Sequence, residues 1–241
     1  MKEYKVDLHV HTVLSPCADL LMTPANIIEK ALANNTAVMA VTDHNSAKNV
    51  RVMMELAEST SLHIIPGMEV ESKEEVHLLC LFNNLEVLLD WQQVVYHSLP
   101  DTNNDEEIFG PQIITDFNDK FVEKENRLLA TATDMNIEEI VTEVRKRDGL
   151  VIPSHVDRTL GLINNLGLIP PDLDLSILEI YRETEIKEFK EQYSFLNDYS
   201  FIKNSDSHYL DELKPRMQLK LDGVSLDEIV TAVKKDRKLF L

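Results

Sequence analysis

The sequence is short of cations: 24 of its 241 residues are Lys or Arg against 42 Asp or Glu, a formal charge of −18. A surface that tracks many phosphates binds by releasing counterions to Lys and Arg. The deficit therefore argues against a basic groove and against long nucleic acid as a partner. Aromatic residues make up only 6%, which leaves no evident platform for stacking successive bases. Two cysteines, Cys17 and Cys80, cannot build a disulfide framework and suit a reducing compartment. No apolar run approaches the roughly 18 residues a membrane span needs, and no basic-then-apolar leader opens the chain. The expectation is a cytoplasmic protein with no membrane partner.

What is present is a regular alternation. Residues 4–10, 37–42, 63–70, 76–82, 149–154, 177–181 and 201–205 are short runs rich in Val, Ile, Leu and Met, and are expected as strands. Helical patterns lie between most of them. In 23–35 Thr23 is placed as an N-cap with Pro24 at the first helical position, 46–58 and 85–98 repeat apolar residues at helical spacing, and 136–149 carries acids first, bases last and Gly149 as a stop. Residues 225–238 open with a capping-type pattern. Strand-helix alternation over the whole length implies one α/β domain, 1–241, with a mainly parallel sheet. The polar stretch 99–135, around Gly110 and Pro111, breaks the rhythm and is expected as an insertion or long connection over one end of the fold.

Histidines fall where the strands end. DLHVHT (7–12) holds Asp7, His9 and His11 at period two, which places them on one face of a strand. Asp43 and His44 lie in VTDHN, Glu69 in PGMEVE, His77 in EVHLLC, His155 in VIPSHVDR, and Asp206 with His208 in NSDSH. In parallel α/β folds the strand ends share one edge, so groups scattered in sequence converge. One such histidine is more often a satisfied core or surface group. Six of the eight histidines, each beside an acid or a second histidine, point to a metal centre. His63 and His97 sit outside this pattern and are assigned no role; Cys80, in an apolar run, is a small core residue. Imidazole and carboxylate without thiolate pairs suit Zn, Mn or Fe. More ligands than one ion uses imply two or three divalent ions, with a carboxylate such as Glu69 bridging, which would activate water against a phosphoryl group.

The successive motifs DLHVHT, VTDHN, PGMEVE, VIPSHVDR and NSDSH, in this order, closely resemble those of the PHP family, the polymerase and histidinol phosphatase domains. That resemblance implies a distorted, TIM-like barrel of seven strands and helices with a trinuclear metal site. Carried over residue by residue, it assigns His9, His11, Glu69 and Asp206 to a first ion, and Glu69, His77 and His155 to a second. His44 and His208 go to a third, with a residue of the following loop. Many relatives place an Asp directly after the Ser of that loop. Here SPCADLLMTP puts Asp19 five residues before Pro24 but after an insertion, so Asp19 is the expected ligand and Cys17 its rival.

Asp7 and Asp43 are expected behind the ligands, accepting the far ring N–H of a histidine and so fixing its tautomer. Arg158 is the candidate for gripping phosphate, since a guanidinium offers a bidentate fork; a surface pairing with Asp157 or Asp172 is the competing role. Lys203 and Arg182 are weaker candidates. Asp206 or a nearby histidine such as His208 is placed to protonate the leaving oxygen. The expected activity is hydrolysis of small phosphate monoesters, nucleotide bisphosphates or short oligonucleotides. The alternatives are a histidinol-phosphate phosphatase and a metal-binding module without turnover. An amidohydrolase acting on C–N bonds shares the HxH start but wants a mid-chain strand lysine that is missing.

Overall fold

The run KEYKVDLHV forms β1 (Lys2–Val10), exposed at its start and buried over its last five residues. The computed structural model describes residues 1–241 except 171, 174 and 182. After β1 come α1 (Pro24–Ala33), β2 (Thr36–Val41), α2 (Val50–Ala57), β3 (His63–Glu71), β4 (His77–Leu81) and α3 (Leu85–Ser98). The stretch 99–135 holds the hairpin β5 (Ile113–Thr115) and β6 (Phe121–Lys124). Then follow α4 (Ile137–Arg145), β7 (Leu150–Pro153), α5 (Leu162–Leu166), β8 (Ile177–Glu179) and α6 (Ile186–Gln192). A 3-10 turn (Ser194–Asp198), β9 (Ser200–Ile202), β10 (Met217–Leu221), α7 (Leu226–Lys234) and β11 (Lys238–Phe240) complete the described elements. No helix is long and apolar enough to cross a membrane among the described residues.

All seven expected strands are present, but the sheet is less parallel than expected. Its order is β11-β10-β1-β2-β3-β4-β7, with β1, β2 and β3 parallel and β4 antiparallel to both β3 and β7. The connection from Glu71 to His77 is far too short for a crossover, so β4 must turn back. β8 and β9 form a separate parallel pair. The parallel bridge Val10 to Ser207 joins the chain after β9 to β1, helped by side-chain bonds such as Leu8 N–H to Asn204 Oδ1 at 2.8 Å, Ser205 N–H to Asp7 Oδ1 at 3.0 Å and Ser205 Oγ to His9 C=O at 3.4 Å. The expected closed barrel is thus a curled half-barrel, and no ladder joins β7 to β8 among the described residues.

Alternation along the strands builds two cores. Val6, Leu8, Val38, Ala40, Ile65, Leu79, Leu81, Ile152, Ile177 and Ile202 form an inner cluster with Leu226, Ile229 and Val233 of α7. Met39, Met68, Val70, Leu78, Cys80 and Val151 face outward and pack with helix residues such as Ile27, Met53, Trp91 and Ile140. In α1 the buried Pro24, Ile27, Ile28 and Ala31 recur at helical spacing. The Thr23 side chain does not cap α1; Asp119, at the tip of the β5–β6 hairpin, accepts from Ala25 N–H (3.0 Å) and from Thr23 Oγ1. The hairpin therefore anchors a core helix. Asn136 and Glu139 form a capping box on α4. At its far end Asp148, not Gly149, is left-handed, with φ 52°. Gly149 is needed because a Cβ there would meet Val144 Cγ1 at 2.6 Å and Phe82 Cε1 at 2.7 Å.

Candidate metal centre

The polar groups extend the inward rows of the strands. Two residues beyond an inward Ile177 lies Glu179; Glu69 and His77 alternate with outward Met68, Val70 and Leu78; Asn204 lies two beyond inward Ile202. His77 starts β4 instead of ending it, and reaches the same edge because β4 runs antiparallel, pairing His77 with Glu71. In β1 the register with β2 slips between Asp7 and Val10, and Leu8 and Val10 pack in different clusters. This bulge breaks the alternation, so Asp7 does not share the face of His9 and His11 as period two implied.

Glu69, 1% exposed, is the hub. Its Oε1 lies 3.3 Å from His9 Nε2, 3.2 Å from His77 Nδ1 and 3.5 Å from His155 Nε2, and its Oε2 lies 3.4 Å from His11 Nε2 and 3.2 Å from His44 Nδ1. Asp206 Oδ1 lies 3.4 Å from His9 Nε2, 3.6 Å from His11 Nε2 and 3.6 Å from His208 Nδ1. Three triples bring their ligand atoms within 4.8 Å of one another: His9, His11 and Asp206; His11, His44 and His208; and His44, Glu69 and His77. All eight side chains form one wall-to-wall cluster.

These atoms fit divalent metal better than they fit one another. Glu69 Oε1, His77 Nδ1 and His155 Nδ1 are buried and make no hydrogen bond, a costly arrangement unless another group binds them. His9 Nε2 and His11 Nε2 face each other at 3.1 Å, while each ring commits its other nitrogen outward. His9 Nδ1–H donates to Glu179 Oε2 at 2.9 Å, and His11 Nδ1–H donates to Ser15 Oγ at 2.9 Å, which passes the bond to Asp43 Oδ1 at 2.7 Å. Those bonds leave two bare Nε2 lone pairs aimed at the cluster, as ligands require.

The cluster's electrostatics follow from the same proximity. Burial opposes ionisation of Glu69, but His9 and His77 hold its carboxyl well below the usual range. Burial lowers His77, yet Glu69 outweighs it and raises the imidazole to about 9. Burial together with His208 and His44 holds His11 well below its ordinary value. Burial opposes the Cys17 thiolate, but His44 and His208 bring the thiol down to about 6. In the metal-free protein His77 thus carries a proton where a cation would bind, whereas His11 is neutral.

The expected residues behind the ligands are redistributed. Asp7 accepts from Ser205 N–H and Asp43 from Thr12 N–H at 2.6 Å, so neither takes a ring N–H directly. Glu179, which the sequence reading missed, does so for His9; it also accepts from His155 N–H at 3.0 Å and from Asn204 Nδ2 at 2.7 Å. His155 needs that hold, because its φ of 26° is left-handed, as is the 49° of Asp206. Asp19 does not join the cluster as expected: its carboxylate accepts from Leu21 N–H at 2.9 Å, which caps the loop locally. Cys17 takes its place on the wall. His63 and His97 lie apart and exposed.

A pocket of about 380 Å³ opens over the cluster, lined by His44, Glu69, His77, His155, Asp206 and His208 together with Cys17, Arg158 and Tyr209. The Arg158 guanidinium lies 4.2 Å from the Tyr181 ring centroid. Asp157 accepts from Tyr181 N–H at 2.9 Å and from Thr184 Oγ1. Lys203 instead lies over Phe240 at 5.9 Å, and Arg182 falls outside the described residues.

A 5′-3′ exoribonuclease Rnm of Salmonella typhimurium is 30% identical over 80 residues, covering 31% of this chain and 26% of that protein. The fold is similar to a lesion-specific endonuclease of Pyrococcus furiosus, with TM-score 0.74 and 20% identity over 97% of this chain and 56% of that one. It is also similar to an amidohydrolase of Chromobacterium violaceum solved with bound sulfate, with TM-score 0.61 and 16% identity over 98% of both chains. The chain thus spans about half the length of the endonuclease and matches a quarter of the exoribonuclease. The exclusion of long nucleic acid is corrected here: an endonuclease shares this fold, and net charge is a sum over the surface that does not report the potential at one site. A PHP domain model matches residues 7–217, spanning every group of the cluster, and the chain belongs to the PHP domain family.

Proposed function

We propose that this chain is a metal-dependent phosphoesterase that hydrolyses phosphate esters of nucleotides or oligonucleotides. The observation that carries the reading is the convergence of six imidazoles on Glu69 and Asp206 at the floor of a solvent-open pocket. His9, His11, Glu69 and Asp206 would hold one ion, Glu69, His77 and His155 a second, and His44 with His208 a third. Bound there, zinc, manganese or iron supplies the Lewis acidity that activates water and neutralises charge on a phosphoryl group.

The chain's own residues do the rest. Glu179 and Ser15 fix the tautomers of His9 and His11, so that both Nε2 atoms stay available. Arg158 is aligned by the Tyr181 ring and grips phosphate oxygens from the pocket wall. The side chains of Asp206 and His208, 19% and 21% exposed, are the members of the cluster nearest solvent, so the proton for the leaving oxygen has a short path from water on this side. The family's exoribonuclease and endonuclease relatives favour phosphodiesters of nucleic acid, long strands included, over small monoesters. The missing lysine on the pocket wall disfavours C–N hydrolysis among the described residues.

The test is turnover of p-nitrophenyl phosphate and its bis ester by protein reconstituted with Mn²⁺ or Zn²⁺. A panel of nucleoside bisphosphates, short oligonucleotides, duplex DNA and histidinol phosphate follows. Release of phosphate or alcohol from any of these supports the proposal. A protein that holds two or more equivalents of metal and turns over none of them overturns it.

A further inference from the structure

The loop between His11 and α1 presents a sulfur where an oxygen was expected. Asp43 ties its start through Thr12 N–H, Thr12 Oγ1 and Ser15 Oγ. Ala18 N–H closes a tight turn on Ser15 C=O at 3.0 Å, and Asp19 N–H bonds His208 C=O at 2.9 Å. From outside, Gly110 of the insertion packs so closely on the Pro16 carbonyl that no Cβ fits between them. These restraints fix which side chain the turn delivers inward. It is Cys17, which lines the pocket beside His44 and His208, while the Asp19 carboxylate accepts from Leu21 N–H at 2.9 Å and does not line that pocket.

The pocket that Cys17 lines also contains Glu69 Oε1, His77 Nδ1 and His155 Nδ1, all more than nine-tenths buried and without hydrogen bonds. His44 and His208 have their ligand nitrogens within 4.8 Å of each other and of His11. His44 and His208, with the Cys17 thiol on the same pocket wall, offer donors unlike the nitrogen and carboxylate groups around Glu69. Thiolate and imidazole together suit zinc, whereas carboxylate-rich positions suit manganese and magnesium.

We propose that Cys17, and not Asp19, completes the third metal position with His44 and His208, making it a thiolate-containing zinc site beside positions built from imidazole and carboxylate. This rests on the metal-centre reading above and gives that centre two kinds of position: one selective for a soft cation, the others tolerant of harder ones. Access is direct, since Cys17 is exposed at the pocket rim, whereas Cys80 is sealed in the core and cannot reach the cluster.

The experiment uses the full chain, stripped with a chelator and reloaded with Co²⁺ alone. Cobalt bound by thiolate shows a near-ultraviolet charge-transfer band that nitrogen and oxygen ligands do not produce. The wild type is expected to show the band as its last equivalent binds. Cys17→Ser should lose the band and one equivalent of metal while keeping the others. Asp19→Asn should keep both, and Cys17→Asp should regain the equivalent without the band. A fully loaded wild type without the band overturns the proposal, as does a Cys17→Ser protein with an undiminished metal content. Failure of the wild type to bind any cobalt would instead bring down the metal centre as a whole, a separate and recognisable result.

Discussion

Oε2 of Glu179 lies 2.9 Å from Nδ1 of His9, joining residues 170 positions apart. That bond sets the histidine's tautomer, and the same carboxylate holds His155 N–H and Asn204 Nδ2. Replacing it with an amide, Glu179→Gln, keeps the shape but removes the acceptor charge. Metal affinity should fall about 10–100-fold with the circular dichroism spectrum unchanged. Unaltered affinity in a competition titration would show that His9 needs no such partner.

Much of the centre was legible because histidine is rare and its neighbours were acids at strand ends. Glu179 was not, since ILEI offers one glutamate among the chain's 42 acids and no histidine beside it. A signal did exist: an acid two residues beyond an inward apolar position at the end of a buried strand. The bulge in β1 left no trace in composition, so Asp7 was set on the wrong face. The turn that points Cys17 inward and Asp19 away is fixed by Asp43, His208 and Gly110, none of them local in sequence. β10 and β11 went unread because they are short strands with polar residues between the apolar ones, and the antiparallel run of β4 was missed although its five-residue connection to β3 is too short for a crossover.

Metal binding should release protons. Without metal, Glu69 keeps His77 protonated up to about pH 9, and a ligating imidazole must be neutral. Affinity should therefore rise with pH from 7 to about 9, and calorimetry in buffers of different ionisation enthalpy should detect proton release at pH 7. In the metal-free protein the raised pKa of His77 adds stability that is complete below about pH 6.5 and is lost as pH rises through about 9. Chelated protein should thus lose melting temperature over that range more steeply than loaded protein. Equal slopes would contradict this.

Arg158 should act on substrate and not on metal. Its removal in Arg158→Ala takes away a charged hydrogen-bonding partner worth roughly 1.5–3 kcal/mol, about 10–100-fold in kcat/KM. Metal content should stay at the wild-type value, and Arg158→Lys should recover only part of the loss because an ammonium lacks the fork. Loss of metal in Arg158→Ala would place the residue in the structural frame.

The β5–β6 hairpin should contribute to global stability through one carboxylate. Asp119→Gly preserves the left-handed backbone, φ 57°, while deleting both acceptors at the start of α1. A lost cap costs about 1 kcal/mol, which for a chain of this size lowers Tm by about 2–4 °C. An unchanged Tm would mean that water replaces Asp119 without loss.

The most direct test of the account is metal content and ester turnover measured on the same preparations of wild type and Glu69→Gln. Glu69 approaches five imidazoles and its Oε1 has no hydrogen bond of its own. The account predicts two or three equivalents with turnover in the wild type, and loss of both together in the variant. A Glu69→Gln protein with full metal content and full turnover would contradict it.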